Sequence, residues 1–151
     1  MAILTAEITE FVKKQKLGFV ATVCPDGTPN LSPKGTTTVW DDEHLVFADI
    51  HSPGTTANVL VNPSIEINIV DIFTRKGYRF KGTATVLTGG VVFEKIIASY
   101  GEGAEKYTIL NIILVKVDRI VPLSSPIYDT GITEEDVKKR WKDYWFSGEN
   151  K

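Results

Sequence analysis

The sequence predicts a mainly β protein in which about six antiparallel strands form a small barrel. Runs of β-branched and aromatic residues are short, and tight-turn residues separate them. Several runs alternate apolar and polar positions with the period of two that a half-buried strand requires. Gly82 interrupts the longest alternating run, and a glycine there favours a bulge that bends the strand. Bent consecutive strands favour a barrel over an open sheet.

The composition limits the function classes. The chain has 151 residues, 42% of them hydrophobic and 24% charged, as in a globular protein of one domain spanning 1–151. A net charge of −2 and the absence of a Lys/Arg block argue against nucleic-acid binding. We expect no membrane span and no secretion signal, and a cytoplasmic location. One cysteine, Cys24, and two histidines, His44 and His51, lead us to expect no disulfide and no metal site.

Two helices are predicted in the first half of the chain. Thr5 can cap a helix with one apolar face, and Gly18 follows the basic last turn of this helix. Residues 55–62 lie between Pro53-Gly54 and Pro63, a length that suits a two-turn helix beginning at a threonine.

The same half contains the first predicted strands. Residues 19–23 form a strand, and the turn residues 25–28 make a hairpin with a strand around Leu31. Residues 36–40 and 45–48 are also rich in strand-forming residues. We therefore expect a meander of three consecutive strands.

The second half of the chain continues this pattern. Residues 65–70 and 78–87 alternate as strands, and 91–100 suit a helix that glycines end. The apolar run 109–117 is expected to be either a strand buried on both sides or part of a subunit interface. A final helix at about 133–146 has acids in its first turn and bases later, which suits the helix dipole.

Two segments have residues suited to an anionic ligand. Ser52–Asn58 leads through a glycine and two threonines into a helix start, where free N–H groups and the dipole attract phosphate. An ordinary helix cap uses the same residue types. Lys34, between Pro33 and Gly35, could reach a charged or electron-rich group, although it could equally be a solvated lysine.

The order of these motifs resembles the FMN-binding split-barrel proteins related to pyridoxamine 5'-phosphate oxidase. The likeness spans roughly residues 7 to 120, and the succession of motifs carries it rather than any one of them. The resembling segments are 17–23, 25–29, 32–34, 45–48, 52–55, 58–59, 62–63 and 82–84. The resemblance implies a six-stranded antiparallel Greek-key split β-barrel and a homodimer with FMN at the subunit interface.

The resemblance also implies the cofactor contacts. The flavin ring would touch the strand after the first hairpin, at Ser32, Pro33, Lys34, Gly35 and Thr36. The ring and ribityl chain would lie along the end of the next strand, at Ala48, Asp49, Ile50 and His51. The phosphate would bind at the helix start, at Ser52, Gly54, Thr55 and Thr56.

The chain departs from the family pattern in its phosphate loop, which has no Lys or Arg. Charge compensation could come from Arg75, Lys76 or Arg79 of either subunit. In the C-terminal helix, Trp141 or Trp145 could pack on the barrel or cover the ring of the other subunit.

We expect a flavin-dependent oxidoreductase in which FMN supplies the chemistry and no catalytic residue can be named. The substrate and electron donor are unknown. The alternatives are a non-catalytic flavin-binding electron carrier or cofactor store, and a relative that binds haem or a deazaflavin. His51 would then be the candidate iron ligand.

Overall fold

A computed structural model describes residues 2–148 and contains four α-helices and seven β-strands in that range. The helices are α1 (Ala6–Gln15), α2 (Pro53–Val61), α3 (Val91–Ser99) and α4 (Glu134–Phe146). The strands are β1 (Gly18–Val23), β2 (Pro29–Lys34), β3 (Thr38–Val39), β4 (His44–Asp49), β5 (Ser64–Asp71), β6 (Lys76–Leu87) and β7 (Asn111–Ser124). Short 3₁₀ helices cover Gly101–Lys106 and Pro126–Thr130.

The strands form one antiparallel sheet in the order β2-β1-β5-β6-β7-β4-β3, which curls into a half-barrel. The predicted mainly β split barrel is confirmed, with seven strands rather than six. The register of β6 against β7 shifts between Lys81 and Gly82, as the bulge prediction requires. A Cβ at position 82 would lie 2.2 Å from the carbonyl oxygen of Lys116, so only glycine fits this bend.

The predicted three-strand meander is wrong. β2 pairs with β1 at one edge of the sheet, whereas β3 pairs with β4 at the other edge. The strand predicted at 36–40 shortens to Thr38–Val39, because the chain turns at Gly35 and Thr36. Thr37 fixes this turn by donating from its amide and its hydroxyl to the carbonyl of Lys34, at 3.3 and 2.8 Å.

Two apolar clusters lie on opposite faces of β4 and β7. The barrel interior holds Phe47 and Ile113, whereas α3 covers the outer face at Val46 and Ile112. Ile112, Ile113 and Val115 are all fully buried. The apolar run 109–117 is therefore mainly a core strand covered on both faces, and it continues as part of β7 to Ser124.

Local capping explains where the helices begin and end. Thr5 and Thr133 accept hydrogen bonds from the amides of Ile8 and Asp136, which starts α1 and α4. The left-handed residue that ends α1 is Lys16 rather than a glycine. Gly18 instead lies in β1, where a Cβ would come within 2.6 Å of the Thr37 hydroxyl.

The helix α2 begins at Pro53, two residues before the predicted start, with Ser52 as its N-cap. It follows β4 and packs against β1 and β6, with Val59 in the barrel core. Its start thus lies where β4 ends. Across residues 2–148 no helix combines the length and the apolar character that crossing a bilayer requires.

Candidate functional site

The end of the edge strand β2 lies against the start of α2. Lys34, the last residue of β2, is only 8% exposed, and its ammonium donates a hydrogen bond of 2.5 Å to the Ser52 hydroxyl. Two residues earlier, the hydroxyls of Ser32 and Thr55 share a hydrogen bond of 3.5 Å. Both contacts join segments that the sequence separates widely, so the curl of the sheet creates this site.

The first turn of α2 has no side-chain cap. Ser52 occupies the N-cap position, but its hydroxyl accepts from Lys34 and caps no helix amide. Gly54 is exposed, whereas Thr55 and Thr56 are buried. No side chain caps the amides of Gly54 and Thr55 in the first helical turn, and free amides at a helix start can bind a phosphoryl group.

Asp49, at the end of β4, holds this loop in place. The carboxylate is 2% exposed and accepts three hydrogen bonds: from the Ser52 amide at 2.8 Å, the Thr56 hydroxyl at 2.5 Å and the Asn111 side chain at 3.2 Å. Burial opposes its ionisation, but these donors and the charge of Lys34 outweigh burial and lower the pKa of Asp49. The position of this carboxylate suits it to orient the helix start.

Lys34 is a cation held in a partly dehydrated position. Burial lowers the pKa of its ammonium, and the negative charge of Asp49 offsets only part of that effect. An ammonium has three N–H donors, and within residues 2–148 the side chain of Lys34 bonds only to Ser52. An anion at the start of α2 would give Lys34 further acceptors.

A cleft of about 470 Å³ has walls that include Gly35 and Thr36, which follow Lys34 in the chain, and Ile50, two residues before Ser52. Thr36 is fixed there from two directions: its hydroxyl accepts from the Ala48 amide at 2.9 Å, and its carbonyl accepts from the Tyr100 hydroxyl at 3.0 Å. Burial raises the pKa of Tyr100 far above its ordinary value, so this phenol remains a proton donor. The cleft is thus a preformed pocket with a polar backbone wall.

Several other predicted cofactor contacts do not line the cleft with their side chains. Ala48 is 3% exposed and packs in the cluster beneath α3, so only its backbone approaches the cleft wall. Pro33 and His51 are exposed and are absent from the cleft lining. Among residues 2–148, no group of three or more His, Cys, Asp or Glu side chains is arranged to hold a metal ion.

The basic residues suggested for charge compensation have other partners within the chain. Arg75 stacks on Trp141 at 3.6 Å, Lys76 pairs with Glu134 at 2.7 Å, and Arg79 reaches the side chain of Asn68 at 3.4 Å. The cation beside the start of α2 is Lys34, which the sequence associated with the flavin ring instead. The other tryptophan, Trp145, is 54% exposed on α4.

Sequence reasoning missed several residues of this region. Asn111 binds Asp49 and Tyr100 binds Thr36, while Lys13 and Lys16 line the cleft. Only Asn111 had a visible signal, since it is the one polar residue near the start of an apolar run.

Comparison with known proteins identifies the family. The family model described as pyridoxamine 5'-phosphate oxidase matches residues 4–120. The chain belongs to the pyridoxamine 5'-phosphate oxidase family. The family match covers β1 to β6, the apolar part of β7 and the whole helix start at Ser52. No curated protein matches the chain.

Solved structures agree with membership of the pyridoxamine 5'-phosphate oxidase family. HupZ of Group A Streptococcus is 32% identical, with a TM-score of 0.73 over 82% of this chain and 96% of HupZ. An FMN-binding protein of Syntrophomonas wolfei is 16% identical, with a TM-score of 0.66 over 82% of this chain and 90% of its own. The heme storage protein HutZ of Vibrio cholerae is 23% identical, with a TM-score of 0.64 over 78% and 93%. The last two likenesses show the shared fold alone.

Proposed function

We propose that this protein binds FMN and acts as a flavin-dependent oxidoreductase whose substrate is unknown. One observation carries the proposal: the buried ammonium of Lys34 lies beside the start of α2, and the residue that follows it, Gly35, lines a preformed cleft. A dianionic phosphate joined through a flexible chain to a planar aromatic ring matches this combination. The FMN-binding protein of Syntrophomonas wolfei has the same fold, which agrees with the proposal.

The residues present fit FMN. Lys34, Ser52 and the first amides of α2, from Gly54 and Thr55, would hold the phosphate. Gly35, Thr36 and Ile50 would lie along the flavin ring. FMN, when bound, supplies hydride or electron transfer.

The chain's own residues position and shield the cofactor. Asp49 fixes the loop that presents the Ser52 amide, and Tyr100 fixes the carbonyl of Thr36. The positive charge of Lys34 would stabilise negative charge on the ligand in a site with little water. These roles need no catalytic acid or base from the protein.

An absorption spectrum of the freshly purified protein is the first test. We expect the two bands of an oxidised flavin near 370 and 450 nm, roughly one FMN per chain, and FMN on denaturation. A colourless protein that takes up no added FMN, and releases no phosphorylated cofactor on denaturation, refutes the proposal.

The same FMN-loaded protein distinguishes an enzyme from an electron carrier. Steady consumption of NADH or NADPH beyond one equivalent per flavin supports an oxidoreductase. Rapid one-electron exchange without turnover supports a carrier or cofactor store.

Haem is a second candidate ligand, because the exposed His51 lies directly before the helix start. Within residues 2–148 its ring makes no hydrogen bond. The HutZ protein of Vibrio cholerae, which has this fold, is a heme storage protein. A Soret band that His51→Ala shifts or abolishes would favour haem, and a single band near 420 nm without iron would favour a deazaflavin.

We also propose a cytoplasmic homodimer with the cofactor at the subunit interface. The outward face of β1 and β2 supports an interface, since Phe19 is 41% and Leu31 66% exposed beside the exposed Pro33. This face ends at Lys34. Sedimentation should give a dimer that Leu31→Asp converts to a monomer, and a monomeric wild-type protein refutes this part of the proposal.

A further inference from the structure

The cleft has a basic side that the proposed cofactor contacts do not use. Besides the wall at Gly35 and Thr36, its lining includes Lys13 at the end of α1 and Lys16 just beyond it. Among residues 2–148, these two ammoniums are the only charged side chains that line the cleft, and no Asp or Glu of that range does so. The protein as a whole carries a net charge of −2, so the basic character is local.

Both lysines lack a counter-ion. Within residues 2–148, neither Lys13 nor Lys16 forms an ion pair or a side-chain hydrogen bond. Lys13 belongs to the last turn of α1, whereas Lys16 follows the helix in the left-handed conformation that ends it. The helix dipole favours basic residues at this end of α1, and it stabilises Lys14 in the same turn as well. The dipole does not account for placing two of the three lysines on the cleft.

The lining combines hydroxyl-bearing residues, three threonines and Ser99, with a group of apolar and aromatic side chains. Ile50, Tyr100, Tyr107 and Ile109 face the same space as the lysines. Tyr107 is 59% exposed, and no residue of the 3₁₀ helix Gly101–Lys106 beside it is buried. A flat apolar molecule would cover these surfaces, and a negative group at its edge would meet the two ammoniums.

We propose that this cleft is the substrate site and that it takes an organic anion with a flat apolar body, whose carboxylate or sulfonate binds Lys13 and Lys16. The assignment rests on the proposed function, because the Gly35–Thr36 wall would bring such a molecule against the flavin. The lysines are binding residues that select for charge.

Two fluorescent probes separate the charge from the apolar body. 8-Anilinonaphthalene-1-sulfonate carries a sulfonate, and N-phenyl-1-naphthylamine has the same rings without it. For the full chain, with and without FMN, we expect one sulfonate probe per subunit. The double variant Lys13→Ala/Lys16→Ala should weaken its binding roughly five- to tenfold and leave the neutral probe unchanged. Tyr107→Ser should weaken both probes.

Lys14→Ala is the matched control, since Lys14 is exposed in the same helical turn but does not line the cleft. The inference is overturned if the double variant binds the sulfonate as tightly as wild type, or if Lys14→Ala causes the same loss. It is also overturned if FMN abolishes sulfonate binding, because the cofactor would then fill the cleft.

FMN uptake, measured by flavin absorbance in the same variants, tests the proposed function separately. If the double variant binds FMN and keeps its affinity for the sulfonate probe, the substrate-site inference is refuted and the proposed function stands. If the wild-type protein never takes up FMN but the double variant still loses affinity for the sulfonate probe, the flavin proposal is refuted and the cleft remains an anion-binding site.

Discussion

The ammonium of Lys34 lies 2.5 Å from the hydroxyl oxygen of Ser52, although the first ends β2 and the second follows β4. This contact gives the start of α2 the cation that its own loop lacks. For the proposed FMN site we therefore expect Lys34 on the phosphate side rather than on the ring side.

Lys34→Ala tests this position through its effect on two flavins. We expect FMN affinity to fall by about 1.5 to 3 kcal/mol, or roughly tenfold to a hundredfold in Kd, because a charge-assisted hydrogen bond to the phosphate is lost. Riboflavin, which has no phosphate, should bind as before. Isothermal titration with both flavins measures the difference.

Lys81→Ala is the control for this substitution, since Lys81 is exposed and pairs with Glu66 on the outer side of the sheet. If Lys34→Ala weakens riboflavin and FMN binding equally and lowers the flavin midpoint potential, Lys34 contacts the ring rather than the phosphate. Unchanged affinity and potential would remove it from the site.

The buried Asp49 predicts a loss of stability in acid. Its pKa is lowered in the folded protein, so the unfolded chain binds the proton first as the pH falls. Its contribution is therefore complete above the ordinary value of 3.8 and is lost as the pH drops through the lower folded pKa. Urea unfolding at a series of pH values should show a decrease below about pH 4.

Asp49→Asn should reduce the slope of that decrease and lower the free energy of unfolding at pH 7 by about 1 to 3 kcal/mol. Asp26 and Asp41 also have lowered pKa values, so part of the slope should remain. Asp118→Asn, an exposed control, should leave the curve unchanged. A wild-type slope in Asp49→Asn would contradict the network around α2.

Gly82→Ala tests the bend of β6. The added Cβ would meet the Lys116 carbonyl at 2.2 Å, so the strands must separate, and we expect a loss of about 3 kcal/mol in the free energy of unfolding. Gly89→Ala is the control, since nothing lies within 4 Å of a Cβ at that position. Equal unfolding midpoints for the two variants would show that the bulge tolerates a side chain.

Arg75→Ala should loosen the C-terminal helix. The guanidinium of Arg75 lies 3.6 Å from the centre of the Trp141 ring, close enough for a cation–π interaction worth about 1 kcal/mol. Hydrogen exchange of the α4 amides should accelerate accordingly. Arg140→Ala, whose guanidinium is 6.0 Å from the same ring, should have little effect, and equal acceleration in both variants would contradict the assignment.

Local chemistry made several elements predictable. Thr5 and Thr133 cap their helices as their positions indicate, and the alternation of Ile65, Ile67 and Ile69 matches their burial in β5. The bend at Gly82 followed from a residue type that only a close backbone approach requires. Each of these features leaves a signal in the local sequence.

The site was less predictable, because its contacts join distant segments. Asn111 reaches Asp49 across 62 positions, and Lys34 reaches Ser52 across 18. Pattern and propensity do not reveal which strands become neighbours, and the separation of β2 from β3 to opposite edges of the sheet was missed for the same reason. The residues of the Ser52 segment and the family resemblance both indicated the helix start, and the structure shows that Lys34 lies beside it.

Because of the strand order, the Lys34 contact bears on how strongly the protein resists unfolding and proteolysis. β2 is the first strand of the sheet and β4 the sixth of seven. A ligand bound by both Lys34 and Ser52 would therefore link opposite sides of the curled sheet. Such a ligand at a hundred times its Kd would add about 2.7 kcal/mol against unfolding. Without bound cofactor the edge strand β2 would separate from the sheet more often. Proteolysis would therefore degrade the cofactor-free protein first.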